Sequence, residues 1–346
     1  MKKGSEFVRL LLTTAALGCL AAGAASAEPY RTTSVEIKDS AAILTVVPED
    51  RADVDVTVAG GERLPAPNVR MEGDHVLIDG GLRVQGCGGW FRSGPRSSIR
   101  VAGYGTVTPD HLQRITLHVP RTLNLSVGGG VHSTIGISQG GRVELNGCGA
   151  SEIADVQGGL DLTLNGSGDV RLGSVGGALR ASLNGSGDVA GGRVGSNAAL
   201  SLTGSGDLVV GDVGGALEAR LLGSGNVRAG AVAGAQLQLR GSGDVSIGDV
   251  RGPLSASLDG SGNIAVRSAQ SPNVDLRLSS SGDVRVRAGH ADALNVANTG
   301  SGNVSFDGRA EASRLMLSGS GDVAVSDAGH IDVLHDSGSG GIHVGK

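Results

Sequence analysis

Hydrophobic and polar residues alternate along most of this chain, and they do so on a fixed schedule. In Leu160-Asp161-Leu162-Thr163-Leu164 every second side chain is aliphatic, the pattern of a strand with one buried face. The same columns recur as Leu179/Ala181/Leu183, Ala198/Leu200/Leu202, Leu217/Ala219/Leu221, Ala235/Leu237/Leu239, Leu254/Ala256/Leu258 and Val274/Leu276/Leu278. A second aliphatic column runs Val170, Val189, Leu208, Val227, Val245, Ile264, Val284, Val304, Val323, Ile342. A third runs Val175, Val194, Val213, Val232, Val250. Between the first two columns stands a glycine corner, Gly166-Ser167-Gly168-Asp169 and its relatives. It recurs from Gly147 to Gly338 at intervals of 19 residues, once 18 and twice 20.

A period that regular predicts an all-β chain wound as a parallel β-helix or β-roll solenoid, each repeat one coil. Connections such as Gly173–Ala178 are too short for a crossover helix, which excludes a doubly wound sheet. About eleven 19-residue coils over 123–346 would make a rod on the order of 50 Å long. Residues 28–122 lack the clean repeat but still read as strands, and are expected to cap the solenoid and be continuous with it. Val69–Met71 and Val76–Ile78 flank a turn at Glu72-Gly73-Asp74, as a hairpin would, and Ile115–Val119 and Leu123–Val127 straddle Pro120. At the corner, glycine is expected to supply a positive φ. The intervening serines are expected to stack as a hydroxyl ladder, and the following Asp or Asn to bond the backbone of its own turn.

Residues 1–27 read as a secretory signal. Lys2, Lys3 and Arg9 precede an apolar run, Leu10–Leu20, and Ala25-Ser26-Ala27 supplies the cleavage site. That run is too short to span a membrane. Gly18-Cys19 raises lipid anchoring at Cys19 as a rival, disfavoured because Ala16 stands where such a site usually has Leu. Export in turn gives meaning to Cys87 and Cys148, the two cysteines of the mature chain. They are either a single disulfide or two buried thiols. A net charge of −5 before processing leaves no basic stripe, so nucleic acid is not an expected partner.

Few residues carry candidate chemistry. In the Asp/Asn column, the consecutive carboxylates Asp169, Asp188 and Asp207 are the only place where a Ca²⁺ ladder is conceivable. One column supplies fewer oxygens than a Ca²⁺ shell wants, so no cofactor is expected. His330, Asp332, His335, Asp336 and His343 gather near the C-terminus. Asp332 and Asp336 stand where Leu or Ala is expected, and a polar terminal coil explains them without a metal. Trp90 and Phe91, beside Cys87, read as a plug for the end of the solenoid rather than a stacking platform. No nucleophile, base and oxyanion donor can be named together, so the chain is not expected to be an enzyme.

The exported N-terminus, the strand pair around Pro120, and Gly-Ser-Gly-Asp/Asn-Val corners between Leu-x-Leu-x-Leu strands together resemble the bacterial head GIN domain proteins, an autotransporter-adhesin-like family of exported β-helical repeats. The resemblance is strongest from Val143 to Val325 and implies no catalytic residues. The sequence ends without the alternating strands of a translocator barrel, so self-translocation is not expected. The resulting expectation is a periplasmic or cell-surface, non-catalytic protein that binds polysaccharide or another envelope component and does not span a membrane. A carbohydrate-active β-helix lyase or hydrolase, and a purely structural rod, are the alternatives.

Overall fold

Strand alternation becomes stacking in the computed structural model, which describes residues 29–88 and 98–345. The signal segment, Cys19, Trp90 and Phe91 lie outside the described residues. Among the described residues regular structure is β throughout, apart from one 3-10 turn at Pro109–His111.

From residue 140 onward each repeat is one coil with three sides, and equivalent residues of neighbouring coils pair in parallel. On the first side Leu160 lies against Leu179, then Ala198, Leu217, Ala235, Leu254 and Val274. On the second, Val170 leads through Val189 and Leu208 to Val323 and Ile342. Single bridges join Val156, Val175, Val194 and Val213 on the third. All three columns point inward into one continuous core. Each fully buried Leu or Val contributes about 1.5–3 kcal/mol, so the core is built by repetition rather than by bulk.

The N-terminal strands are β1 (Val35–Glu49), β2 (Asp55–Gly60), β3 (Asn68–Glu72), β4 (His75–Asp79), β5 (Val84–Cys87), β6 (Ile99–Val101), β7 (Gly105–Val107), β8 (Gln113–Pro120) and β9 (Thr122–Ile135). All but β5, β6 and β7 enter the same stack, out of sequence order. β1 spans two sides of a coil and is sandwiched. One edge pairs with β9, the other with β4 and β8, all in parallel. The two strands around Pro120 are therefore separated by β1. Inward-facing Ile37, Leu44 and Val46 are all but sealed from solvent, which requires a neighbour on each edge. β2 and β3 add antiparallel strands to β8 and β4 and close this end. β3 and β4 form the expected hairpin, Met71 opposite Val76, with Gly73 at φ +62 in the turn.

β5, β6 and β7 make a separate antiparallel sheet over a small second core of Leu82, Ile99, Val101, Val107 and Leu112. A disulfide ties it to the solenoid, with the Cα atoms of Cys87 and Cys148 5.5 Å apart. Cys148 occupies the middle of the first corner, the position that is serine in the later corners.

The corner glycines are present for a different reason than positive φ alone. φ is positive at Gly147, Gly166, Gly185 and Gly204, but at none of the corners from Gly223 on. What the corners share is close approach between coils. At Gly243 a Cβ would lie under 3.0 Å from the carbonyl oxygen of Gly225, and the second glycine of each corner meets its predecessor in this way. That second glycine appears in every corner from Gly149 to Gly340, whereas the first is replaced by Ser280 where the coil lengthens.

Candidate functional site

The Asp/Asn column forms a ladder, but not the one expected. Each side chain accepts a hydrogen bond from the backbone N–H of the equivalent residue one coil on, not from its own turn. Asp207 N donates to Asp188 Oδ1 at 2.9 Å, Asn226 N to Asp207 Oδ1 at 2.9 Å, and the series continues to Gly341 N on Asp322 Oδ1. An acceptor oxygen is all this bond needs, which explains why Asp and Asn interchange. Where Asn follows Asp, its amide also donates to that carboxylate, as Asn226 does to Asp207 at 2.7 Å. Burial pushes the Asp207 carboxyl up. The amide and N–H of Asn226 and the Arg228 guanidinium outweigh it and hold the group below the usual carboxylate range. The corner serines are exposed and form no hydroxyl–hydroxyl bond among the described residues.

In Asp169 and Asp188, as in Asp207, Oδ1 is engaged by the next N–H. Among the described residues no three His, Cys, Asp or Glu side chains group as a metal-ligand set. The terminal cluster is split in the same way. His335 pairs with Met316 on the first side, His343 with Ala324 on the second, and His330 contacts Asp332 at 3.1 Å. Asp336 does fall in the inward Leu317 column. Asp332 does not, because a register shift makes it an extra residue and places Leu334 over Leu315.

A surface trough, not a side-chain cluster, is the most site-like feature, and the inward and corner columns gave no sign of it. It runs along the axis where each coil turns into its first-side strand. The turn column reads Ala178, Asn197, Ala216, Gly234, Pro253, Asn273, and the first outward column Arg180, Ala199, Glu218, Gln236, Ser255. Small residues keep the turn low, and the outward side chains form the opposite margin. One stretch has a cavity volume of about 600 Å³ and adjoins another of about 530 Å³ bordered by Asn124, Arg142 and Asp161. From the coil of Asn124 to that of Asn273 the trough crosses eight coil steps, about 40 Å. The one 18-residue repeat falls within it, between the coils of Ala216 and Gly234. Gly214 and Gly215 separate paired positions in one coil, and only Ala233 does so in the next. That shortened repeat was the available sequence signal.

The electrostatics of the trough are self-contained. Asp161 stands 4.0 Å from Arg142 and 3.9 Å from Arg180, and Glu218 is paired with Arg220. Asn197 Oδ1 accepts the Ala216 N–H at 2.9 Å, and Gln236 has no side-chain hydrogen bond among the described residues.

A stack of glycine-cornered coils with such a face invites comparison with known proteins. Residues 249–344 match the family described as "Putative auto-transporter adhesin, head GIN domain". The head GIN match takes in the corners from Gly260 to Gly338, so this adhesin-like family and the repeat are read from the same residues. No curated protein matches the chain. A crystal structure titled as that of a putative lipid binding protein from Parabacteroides distasonis is similar at 18% identity over 92% of this chain and 94% of that one, with a TM-score of 0.30. No helix among the described residues is long and apolar enough to cross a membrane.

Proposed function

We propose that this is an exported, non-catalytic, adhesin-like binding protein of the cell envelope, whose trough receives an extended polymer. The trough itself carries the reading. It is open, about 40 Å long and parallel to the rod axis, so it suits a long ligand rather than a compact one. Binding is favoured over hydrolysis by spacing. The two carboxylates lining the trough, Asp161 and Glu218, stand three coils apart, about 14 Å. Glycosidic hydrolysis uses a carboxylate pair about 5–9.5 Å apart. The expected localisation, periplasm or cell surface, follows from the signal-like N-terminus.

The test is retention of the purified protein on immobilised envelope polymers, compared with Ala216→Trp. An indole at this exposed turn projects into the trough that Ala216 lines. Retention of the natural chain and its loss in the variant are the expected outcome. Equal retention of both sinks the trough as the contact, and release of reducing sugars during incubation sinks the non-catalytic reading.

A further inference from the structure

We infer that the trough takes a neutral, unbranched glycan laid along the rod axis, its central sugars over Ala216, Gly234 and Pro253. This rests on the reading of the trough as the binding surface and narrows it to one ligand class.

Charge points away from an ionic ligand. Arg180 already faces Asp161 at 3.9 Å, and Glu218 already holds Arg220. Between Ala178 and Asn273 the lining carries one cation, Arg180, and one anion, Glu218, so this stretch offers no net charge to an ionic ligand of either sign. A ligand without charge leaves the pairs intact. The floor offers a second constraint: Ala178, Ala216 and Pro253 present exposed hydrocarbon along the axis. Sugar rings carry C–H faces that settle on such a strip, while their hydroxyls project to the margins. Those margins hold the matching groups. Gln236 brings an amide whose donors and acceptor are both unengaged among the described residues, and Asn197 keeps its two N–H donors after giving Oδ1 to Ala216. Hydroxyls both donate and accept, so a free side-chain amide serves them where a charged group would serve an anion. An acyl chain fits less well, since polar margins on an open trough would leave its methylenes wet.

Repeat length adds the axial match. Coils are about 4.8 Å apart, close to the length of one extended hexose unit, so successive sugars meet equivalent positions in successive coils. The five coil steps between Ala178 and Asn273 then define a binding stretch of about 24 Å.

The experiment measures binding of the full mature chain, disulfide intact, to four probes. These are neutral linear oligosaccharides, uronic-acid oligosaccharides of matched length, a phosphate-containing polymer, and vesicles of anionic phospholipid. Each is measured at low and high salt, with A216W, Q236A, and S246W on the second side as the control. Melting curves establish that each variant is folded, and Gln236→Ala carries the comparison if the tryptophan disturbs the coil. Neutral oligosaccharides are expected to bind with less than about a twofold change with salt. Binding should weaken by about tenfold in A216W and Q236A, where a packed or bonded contact is lost, and stay unchanged in S246W. If uronic, phosphate or vesicle probes bind instead and A216W abolishes it, the trough stands and the neutral-glycan inference falls. If no probe binds, or binding is lost only in S246W, both fall.

Discussion

His132 is the one histidine sealed into the stack among the described residues, 3% exposed, with Nδ1 accepting the Ala150 N–H at 3.2 Å. Burial pushes its pKa down to about 4. The unfolded chain takes up this proton near pH 6.5, before the folded one does. The folded state is therefore favoured fully above pH 6.5 and loses that advantage as pH falls toward 4, by up to about 3 kcal/mol. Urea midpoints should drop across this window in the natural chain. In His132→Gln they should be lower at neutral pH but flatter with acidification, and an unchanged slope would remove His132 as the cause. Nothing in the sequence flags this residue: it lies in β9 before the first full repeat, and only the pairing of Ser133 with Ser151 and of Ser151 with Val170 places it in the column of Ala150 and Asp169.

At the scale of the coil, most of the fold could be read in advance. The inward columns named from alternation, Leu160 through Val274 and Val170 through Ile342, are the columns that pair across coils. The corner was misread in detail for a physical reason. A side chain bonded to its own turn and one bonded to the same position a coil away leave the same residue in the sequence. Likewise, glycine selected by φ and glycine selected by a neighbouring carbonyl are indistinguishable until coils are stacked. The distinction has consequences. Gly243→Ala places a methyl against the Gly225 carbonyl and should destabilise by about 1–3 kcal/mol despite its ordinary φ. Ser242→Ala, one residue away and exposed, should stay within about 0.5 kcal/mol. Denaturant titrations of both variants check the contrast, and equal effects would mean the coils can separate to admit the methyl.

For the whole molecule, strand content was legible and strand order was not. β1 alternates as any strand does, and alternation does not reveal that β1 sits between β8 and β9, adjacent in sequence. The trough was missed because it arises from turn residues, whose pattern is small rather than periodic. The placement of Cys148 in a serine position was a visible irregularity, and the insert β5–β7 docks there. Cys148→Ser makes that corner like the others. The solenoid should therefore keep its cooperative melting while the insert loosens. With a sequence separation of 61 between the cysteines, the staple stabilises the unit by about 4 kcal/mol. Limited proteolysis should cut the variant within residues 80–112 first, and cleavage within the coils at the same rate would contradict this division.

The parallel ladder also fixes how the rod answers a pulling force. Tension at the C-terminal end loads the bonds between the last coil and the one beneath it, a pair at a time, as in opening a zipper. Each coil that comes away lengthens the chain by about 6 nm, one repeat of extended backbone, and presents an equivalent coil to the same load. Coils from the C-terminal end back to Cys148 should yield in near-equal steps, after which the disulfide carries the load across to Cys87 and past the loop it closes. A force–extension record should therefore show repeated steps of one coil each, and a single all-or-none rupture would contradict this order of loading.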